Sequence, residues 1–260
     1  GSFIAPFINA ETTEYLVIED NFPAGRPPLE KAGVYLTDRE TVNRVERMKV
    51  STCLNPLHTA LAIFGCLLGY ERIYEEMRDE DLVKLVNMIA YDEGMPVVTD
   101  PGIISPQAFA QEVITKRFPN PFIPDAPQRI ATDTSNKLGV RFGETIKAYM
   151  SSDTLDPAGL KAIPFVLAGW LRYLKGMDDD LNAIQLSADP RLDEMQAIIS
   201  EFDFGGAADA QQLKPILSRT DIFHADLYEA GLADAIAAYF TEMMQGKGAV
   251  RQSLRKLVNG

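Results

Sequence analysis

The sequence predicts a mainly α-helical fold with a short strand region near its N-terminus. Beyond residue 36, apolar side chains recur at the spacing of an amphipathic helix through most of the chain. The earlier run Glu14–Glu19 is rich in β-forming residues and precedes a turn-prone stretch, so it predicts one strand. No GxGxxG turn or phosphate-binding loop occurs. The chain therefore has no sequence feature that would hold a dinucleotide by itself.

Composition limits the classes of protein to consider. The 260 residues are enough for one large domain or two small ones, and 46% of them are hydrophobic. The net charge of −12 disfavours nucleic acid as a partner. No apolar run approaches the ~20 residues of a membrane span. Cys53 and Cys66 lie in apolar helical surroundings without a CxxC motif, which predicts buried, inert thiols in a reducing cytoplasm.

The predicted helices follow the strand region in order. Thr37 and Glu40 have the spacing of a capping box, which predicts that the first long helix begins there. The loops between the later helices carry Pro and Gly. Further helices are predicted over Asp79–Tyr91, Pro106–Phe118, Glu144–Ser151, Pro157–Leu174, Leu192–Phe202, Leu232–Met244 and Val250–Val258.

The densest polar cluster on an apolar helix contains Glu46, Lys49, Asn55 and His58. The first two are three residues apart, as are the last two, so each pair shares a helix face. In a regular helix the six residues from Lys49 to Asn55 turn through about 600°, which leaves the two pairs about 240° apart. Pro56 lacks an N–H and clashes with the preceding turn, so it predicts a kink or a one-residue π-bulge between residues 52 and 56.

A lysine, an amide and an imidazole grouped in this way suit metal-free oxidation of an alcohol. A lysine buried from water could take the hydroxyl proton as hydride leaves. The asparagine amide could stabilise the developing alkoxide, and the histidine could orient the hydroxyl. The alternative is a surface Glu–Lys ion pair beside a polar kink. Only two histidines are present and no metal-ligand spacing is found, so no metal is expected.

A local excess of positive charge lies in the segment from Lys116 to Lys147. In a chain of net negative charge this excess indicates a pocket for an anionic or oxygen-rich ligand, or else ordinary surface salt bridges. The segment has three acidic residues against six basic ones, which are Lys116, Arg117, Arg129, Lys137, Arg141 and Lys147.

Several motifs, in this order, resemble the polyol-specific long-chain dehydrogenases, which include mannitol dehydrogenases, fructuronate reductases and mannonate oxidoreductases. The likeness extends from about residue 15 to about residue 244. Its motifs are Leu16–Phe22 with Gly25-Arg-Pro27, Glu30 and Gly33; Lys49 with Asn55-x-x-His58; Arg117-Phe-Pro-Asn-Pro121; Arg129-Ile-Ala-x-Asp-x-Ser-x-Lys137; and Pro164–Leu174.

The resemblance implies a fold and a set of roles. The fold would be the multi-helix C-terminal domain of the 6-phosphogluconate-dehydrogenase-like type. Lys49 would be the general base, Asn55 an oxyanion donor and His58 a hydroxyl-orienting partner, while Glu46 would gate the proton path. Arg129 and Lys137 would bind substrate oxygens. The chain has one residue more between Lys49 and Asn55 than is usual in the family.

The resemblance also implies a division of the enzyme. Residues 3–36 would be an inter-domain segment and residues 37–260 the helical substrate-binding domain. The sequence enters at Phe3 without a methionine, as expected of a segment of a longer polypeptide whose N-terminal Rossmann domain binds NAD or NADP. The substrate would be a polyol or sugar acid, and the isolated chain would be inactive. Two other interpretations stay open: a stand-alone helical ligand-binding module, and a Schiff-base lyase that uses Lys49.

Overall fold

A computed structural model describes residues 16–260 and confirms the mainly helical prediction. The centre of the core is formed by α2 (Asn55–Leu68) and α8 (Ala162–Tyr173), which pack against each other. Every residue of α8 is buried, including Trp170 and the fully buried Arg172. A helix that is apolar on all sides requires neighbours on all sides. α12 (Ala233–Met243) supplies one of these neighbours.

The remaining helices surround this centre. Several of them are single turns, which neither periodicity nor capping signals predicted. In chain order they are α1 (Arg39–Met48), α3 (Ile73–Glu76), α4 (Glu80–Asn87), α5 (Pro106–Glu112), α6 (Pro127–Ile130), α7 (Glu144–Met150), α9 (Leu192–Ser200), α10 (Ala210–Leu217), α11 (Thr220–Phe223) and α13 (Ala249–Asn259), with 3₁₀ turns at Leu29–Ala32, Met95–Val97 and Pro157–Gly159.

The strand region is a two-stranded parallel sheet of β1 (Val17–Glu19) and β2 (Tyr35–Thr37), with Val17 opposite Tyr35. The sequence predicted only the first strand, and its predicted start at Glu14 lies outside the described residues. The predicted capping box at Thr37 is wrong, because Thr37 is the last residue of β2. Asp38 is the N-cap instead, and its carboxylate accepts a hydrogen bond from the backbone N–H of Thr41.

In the described part of the chain, four π-helical segments interrupt or extend the α-helices. The first lies near Pro56, where a distortion was predicted between residues 52 and 56. It begins about one turn earlier, at Lys49, and the distortion ends at Leu54. Pro56 itself lies in the first turn of α2, where a missing N–H breaks no helical hydrogen bond. Two of the predicted helices, Asp79–Tyr91 and Pro106–Phe118, each end in such a segment. The four are Lys49–Cys53, Met88–Gly94, Val113–Arg117 and Gly139–Gly143.

The run from α1 through the first π segment to α2 is long and apolar enough to cross a membrane by length and composition. This run, Arg39–Leu68, has 30 residues, but 78% of its most apolar window is buried inside the fold. Burial of this kind is typical of a core helix. Cys53 and Cys66 are both buried here, and burial raises the pKa of each thiol to about 12.

Candidate active site

Lys49 lies at the junction between α1 and the first π segment. Its side chain is 38% exposed, and its Nζ is 3.6 Å from a carboxylate oxygen of Glu46, whose side chain is 64% exposed. The sequence predicted that the two would share a face, and they do. The sequence also predicted that Lys49 would be buried. Residues 16–260 leave its side chain partly exposed, so this burial is not found within them.

The π segment changes the rotation between Lys49 and the residues of α2. The backbone N–H of Leu54 donates to the carbonyl of Lys49 at 3.1 Å, which is a bond between residues five apart. Nine residues of regular α-helix would place His58 about 180° around the axis from Lys49. If one residue is absorbed by the wider turn, the angle falls to about 80°. The same change leaves about 140° between Lys49 and Asn55.

Asn55 and His58 occupy the first turn of α2. Asn55 is half-buried, and its side-chain amide makes no hydrogen bond within the part of the chain that the structure describes. Its carbonyl accepts a hydrogen bond from the hydroxyl of Thr59 at 2.8 Å. His58 is buried and packs against the ring of Phe118, with 5.3 Å between ring centroids.

Asp125 joins His58 to the basic segment. One of its carboxylate oxygens lies 3.2 Å from both His58 Nε2 and Arg117 Nη1, and the other accepts a hydrogen bond from Arg129. Burial raises the pKa of Asp125, but His58 and the two guanidinium groups outweigh it and lower the pKa to about 2. Burial also lowers the pKa of His58. Nε2 of His58 is sealed from solvent and forms no aligned hydrogen bond in residues 16–260.

The two predicted substrate-binding residues lie on either side of a tight turn. Arg129, whose side chain is 62% exposed, is the last-turn residue of the short helix α6 and is paired with Asp125. The ammonium group of Lys137 donates to the backbone carbonyls of Ile130 and Thr132. Burial, followed by the nearby Arg141, lowers the pKa of Lys137. The structure thus connects Arg129 to His58 through Asp125. Among residues 16–260, Lys49 has an ion pair with Glu46 and none with this group.

Arg141 was noted in the basic segment but not singled out as a site residue. Its guanidinium donates to the hydroxyl of Thr59, the same hydroxyl that bonds the carbonyl of Asn55. Burial lowers the pKa of Arg141 to about 10. Asp125 was missed as well, because the sequence offers no signal that pairs it with the distant His58. Among residues 16–260 no three His, Cys, Asp or Glu side chains are grouped to hold a metal ion.

Two glycines position the segment that carries Arg141. A β-carbon at Gly139 would lie 2.3 Å from the ring of His224, and one at Gly143 would lie 1.8 Å from the carbonyl of Phe223. Both positions therefore need glycine to let the fourth π segment pack against α11. Residue 141 is two residues from each glycine and therefore lies on roughly the opposite side of the helix from them. Its side chain extends to Thr59 on α2.

Comparison with known proteins identifies the family of the chain. Residues 41–244 match the family model of the mannitol dehydrogenase C-terminal domain. The chain is 57% identical, over 98% of its length and 48% of the relative, to a D-mannonate oxidoreductase of Thermotoga maritima. It is 30% identical to a D-mannonate oxidoreductase of Escherichia coli, over 92% of this chain and 46% of the relative. The chain thus spans about half the length of the relatives it matches.

Solved structures give the same fold. The mannitol 2-dehydrogenase of Pseudomonas fluorescens, in a ternary complex with NAD and D-mannitol, superposes with a TM-score of 0.76 at 27% identity. The match covers 94% of this chain and 46% of that one. A D-sorbitol dehydrogenase in substrate-free form gives a TM-score of 0.74 at 25% identity, over 92% of this chain and 46% of the other. The chain belongs to the mannitol dehydrogenase C-terminal domain family.

Proposed function

We propose that this chain is the substrate-binding and proton-transferring half of a metal-independent NAD- or NADP-dependent dehydrogenase. Its substrate would be a polyol or an aldonate, oxidised at a secondary alcohol to a keto sugar or keto acid. The observation that carries the proposal is the π segment Lys49–Cys53. It lies between the candidate base and the residues of α2, where the sequence has its additional residue.

Each polar group of the candidate site has a role in this reaction. Lys49 takes the hydroxyl proton, and the unbonded amide of Asn55 donates to the oxygen as negative charge develops there. His58, held between Asp125 and Phe118, orients the hydroxyl. Glu46 beside Lys49 receives the proton and passes it to solvent. Arg129 and Lys137 bind the more distant oxygens of the substrate.

The nucleotide is assigned to a separate domain. The strands β1 and β2 have three residues each, and β2 continues through Asp38 directly into α1 without a glycine-rich turn. The described residues therefore do not fit a dinucleotide site of the Rossmann type. A nicotinamide coenzyme supplies the hydride acceptor, and we assign it to an N-terminal Rossmann domain that also covers the exposed Lys49. In this division residues 3–36 connect the domains and residues 37–260 form the helical domain.

The relatives support the substrate class. The names of both relatives described above contain mannonate, and the solved complex contains NAD with D-mannitol. Polyols and aldonates share a chain of secondary hydroxyls, which matches a site with several hydrogen-bond donors. The absence of a metal requirement, a cytoplasmic location, and the absence of nucleic acid and membranes as partners stay predictions.

The test is a substrate panel on the full-length protein with NAD and with NADP. We expect oxidation of mannonate, mannitol or a closely related compound, unaffected by chelators. The 260-residue chain alone should show neither turnover nor tight NAD binding by calorimetry. A stand-alone binding module would instead bind a sugar with full affinity in isolation. A Schiff-base lyase would form a borohydride-trapped adduct on Lys49 with a carbonyl substrate, and either result would contradict the proposal.

A further inference from the structure

Three arginines lie close to the candidate site, and they differ in how their charges are matched. Arg117 and Arg129 both pair with the carboxylate of Asp125. Arg141 has no carboxylate within 4.0 Å among residues 16–260, and its one hydrogen bond there goes to the uncharged hydroxyl of Thr59. A partly desolvated cation without a counter-charge is costly in a folded protein. Within the described chain Arg141 therefore has no ion-pair partner, and its charge is offset only by Asp133 from more than 4.0 Å away.

Lys137 adds a second such charge one helical turn away. Its ammonium group bonds only backbone carbonyls, and no carboxylate of the described residues forms an ion pair with it. Arg141 and Lys137 each disfavour the other, since like charges four residues apart on a helix repel. Asp133 attracts both cations, and Asp189 attracts Lys137, but neither of these carboxylates forms an ion pair with them. Two neighbouring cations without an ion-pair partner are an arrangement that an anion would stabilise.

The position of Arg141 connects this pair to the proposed chemistry. Thr59 accepts from the Arg141 guanidinium and donates to the backbone of Asn55, and it follows His58 directly in α2. No nitrogen of Arg141 is both sealed from solvent and unbonded. Its remaining N–H groups therefore stay available to a ligand that lies over the first turn of α2.

We propose that Arg141, together with Lys137, binds the carboxylate of a sugar-acid substrate and makes the site selective for aldonates over neutral polyols. This inference rests on the proposed dehydrogenase function and narrows its substrate class. A guanidinium can hold a carboxylate through two parallel hydrogen bonds, whereas the terminal hydroxymethyl group of a polyol offers neither the charge nor the second acceptor. Arg141 is therefore a specificity-determining residue that contacts substrate without taking part in proton transfer.

The first test measures kcat and KM of the full-length protein for mannonate and mannitol, with mannitol as a competitive inhibitor if it is not oxidised. Arg141→Gln should raise the KM for mannonate by at least about 10-fold, the loss expected for a charged hydrogen bond. In the same variant, the KM of mannitol, or its inhibition constant if it is not oxidised, should change by less than about 3-fold. Arg141→Lys should restore part of the affinity for mannonate. Arg255→Gln, which removes the same charge from the exposed side of α13, is the matched control and should change neither constant.

The outcomes separate the two proposals. An equal rise in both constants would mean that Arg141 only supports the fold, and the inference would be overturned while the dehydrogenase assignment stood. A full-length protein that oxidises no sugar would overturn the proposed function. The carboxylate site is tested separately on the 260-residue chain, by a ligand-observed NMR titration with millimolar mannonate and mannitol. Binding of mannonate that exceeds binding of mannitol and is lost in Arg141→Gln supports the carboxylate site, and equal binding of the two overturns it.

Discussion

Gly65 of α2 packs directly against the carboxyl group of Glu76 in α3. A β-carbon at residue 65 would lie 2.4 Å from Oε1 of Glu76, so only glycine leaves room for this group. Glu76 is fully buried, and neither of its oxygens has a hydrogen-bond partner within residues 16–260. Burial, followed by the charges of Asp79 and Glu75, raises the pKa of Glu76 well above its ordinary value. The folded state therefore favours the uncharged carboxyl.

This burial predicts a specific dependence of stability on pH. Because the pKa of Glu76 is higher in the folded state, the unfolded chain releases this proton first as the pH rises. The free energy of unfolding should therefore fall as the pH increases above 4.5, the ordinary pKa of a glutamate. Glu76→Gln should remove this loss and be more stable than the wild type at pH 8 but not at pH 5. Urea unfolding followed by circular dichroism at both pH values is the measurement, with the exposed Glu201→Gln as control. The same difference at both pH values would contradict the assignment.

Loss of the proposed base should affect the chemical step. In the full-length protein, Lys49→Ala should lower kcat by at least about 100-fold, the low end for a general base. Added primary amines or a raised pH should restore part of the activity, because either can supply the missing proton acceptor. Lys256→Ala, at a surface ion pair with Glu242, should leave kcat unchanged. Activity of Lys49→Ala within a few-fold of wild type would mean that the base is elsewhere.

The register of the π segment can be tested by changing its length. Deleting Val50 should convert the π segment to regular α-helix. Five residues of α-helix turn through about 500°, which matches six residues with one absorbed, so Lys49 keeps its orientation to Asn55. Inserting one alanine after Val50 instead should turn Lys49 by about another 100°, which takes it from about 80° to about 180° from His58. The expected result is a far larger loss of kcat in the insertion than in the deletion, measured on full-length protein. Equal losses, at matched thermal stability, would show that this register is unimportant.

The carboxylate of Asp125 should contribute measurably to stability. Its side chain is 8% exposed and faces Arg117, Arg129 and His58. Asp125→Asn removes the negative charge that these three groups share and should cost about 3 kcal/mol near neutral pH. Since the pKa of Asp125 is lowered to about 2, this contribution is present above the unfolded value of 3.8 and is lost as the pH falls toward about 2. Urea unfolding at pH 7 and at pH 3 measures it. Asp180→Asn, at an exposed ion pair with Lys247, should change little, and an equal effect of both substitutions would refute the role of Asp125.

The helices that sequence predicts best are the ones with an apolar period or an apolar run. The predicted helix Pro157–Leu174 is an example. It includes the whole of α8, and its predicted end lies one residue beyond the observed end at Tyr173. α10 was missed because Pro215 lies inside it and Pro is usually a helix breaker. The single-turn helices α3 and α6 are too short to show a period. The π segments were missed, except beside Pro56, because one additional residue in a turn hardly disturbs a hydrophobic pattern.

In the candidate site, the sequence predicts contacts between residues that are close in the chain but not between residues that are distant in it. The Glu46–Lys49 contact follows from helical spacing, and the structure confirms it at 3.6 Å. The approach of Asp125 to His58 could not be predicted, since it depends on how the loop before α6 folds onto α2. The lack of an ion-pair partner for Arg141 among the described residues is likewise visible only when the carboxylates around it can be located. The convergence of Lys49, Asn55 and His58 on one cavity stays a prediction.

The sharing of Asp125 has a consequence for how this site can change during evolution. One carboxylate serves an imidazole and two guanidinium groups, so the cost of altering any of the three depends on whether the other two are present. Substituting Arg117 strengthens the dependence of Asp125 on Arg129, and the reverse also holds. A sequence that changes at one of these positions must therefore adjust at the others. If Arg129 binds substrate as we propose, a change of substrate preference at Arg129 is constrained by Asp125 and Arg117, to which we assign no substrate contact.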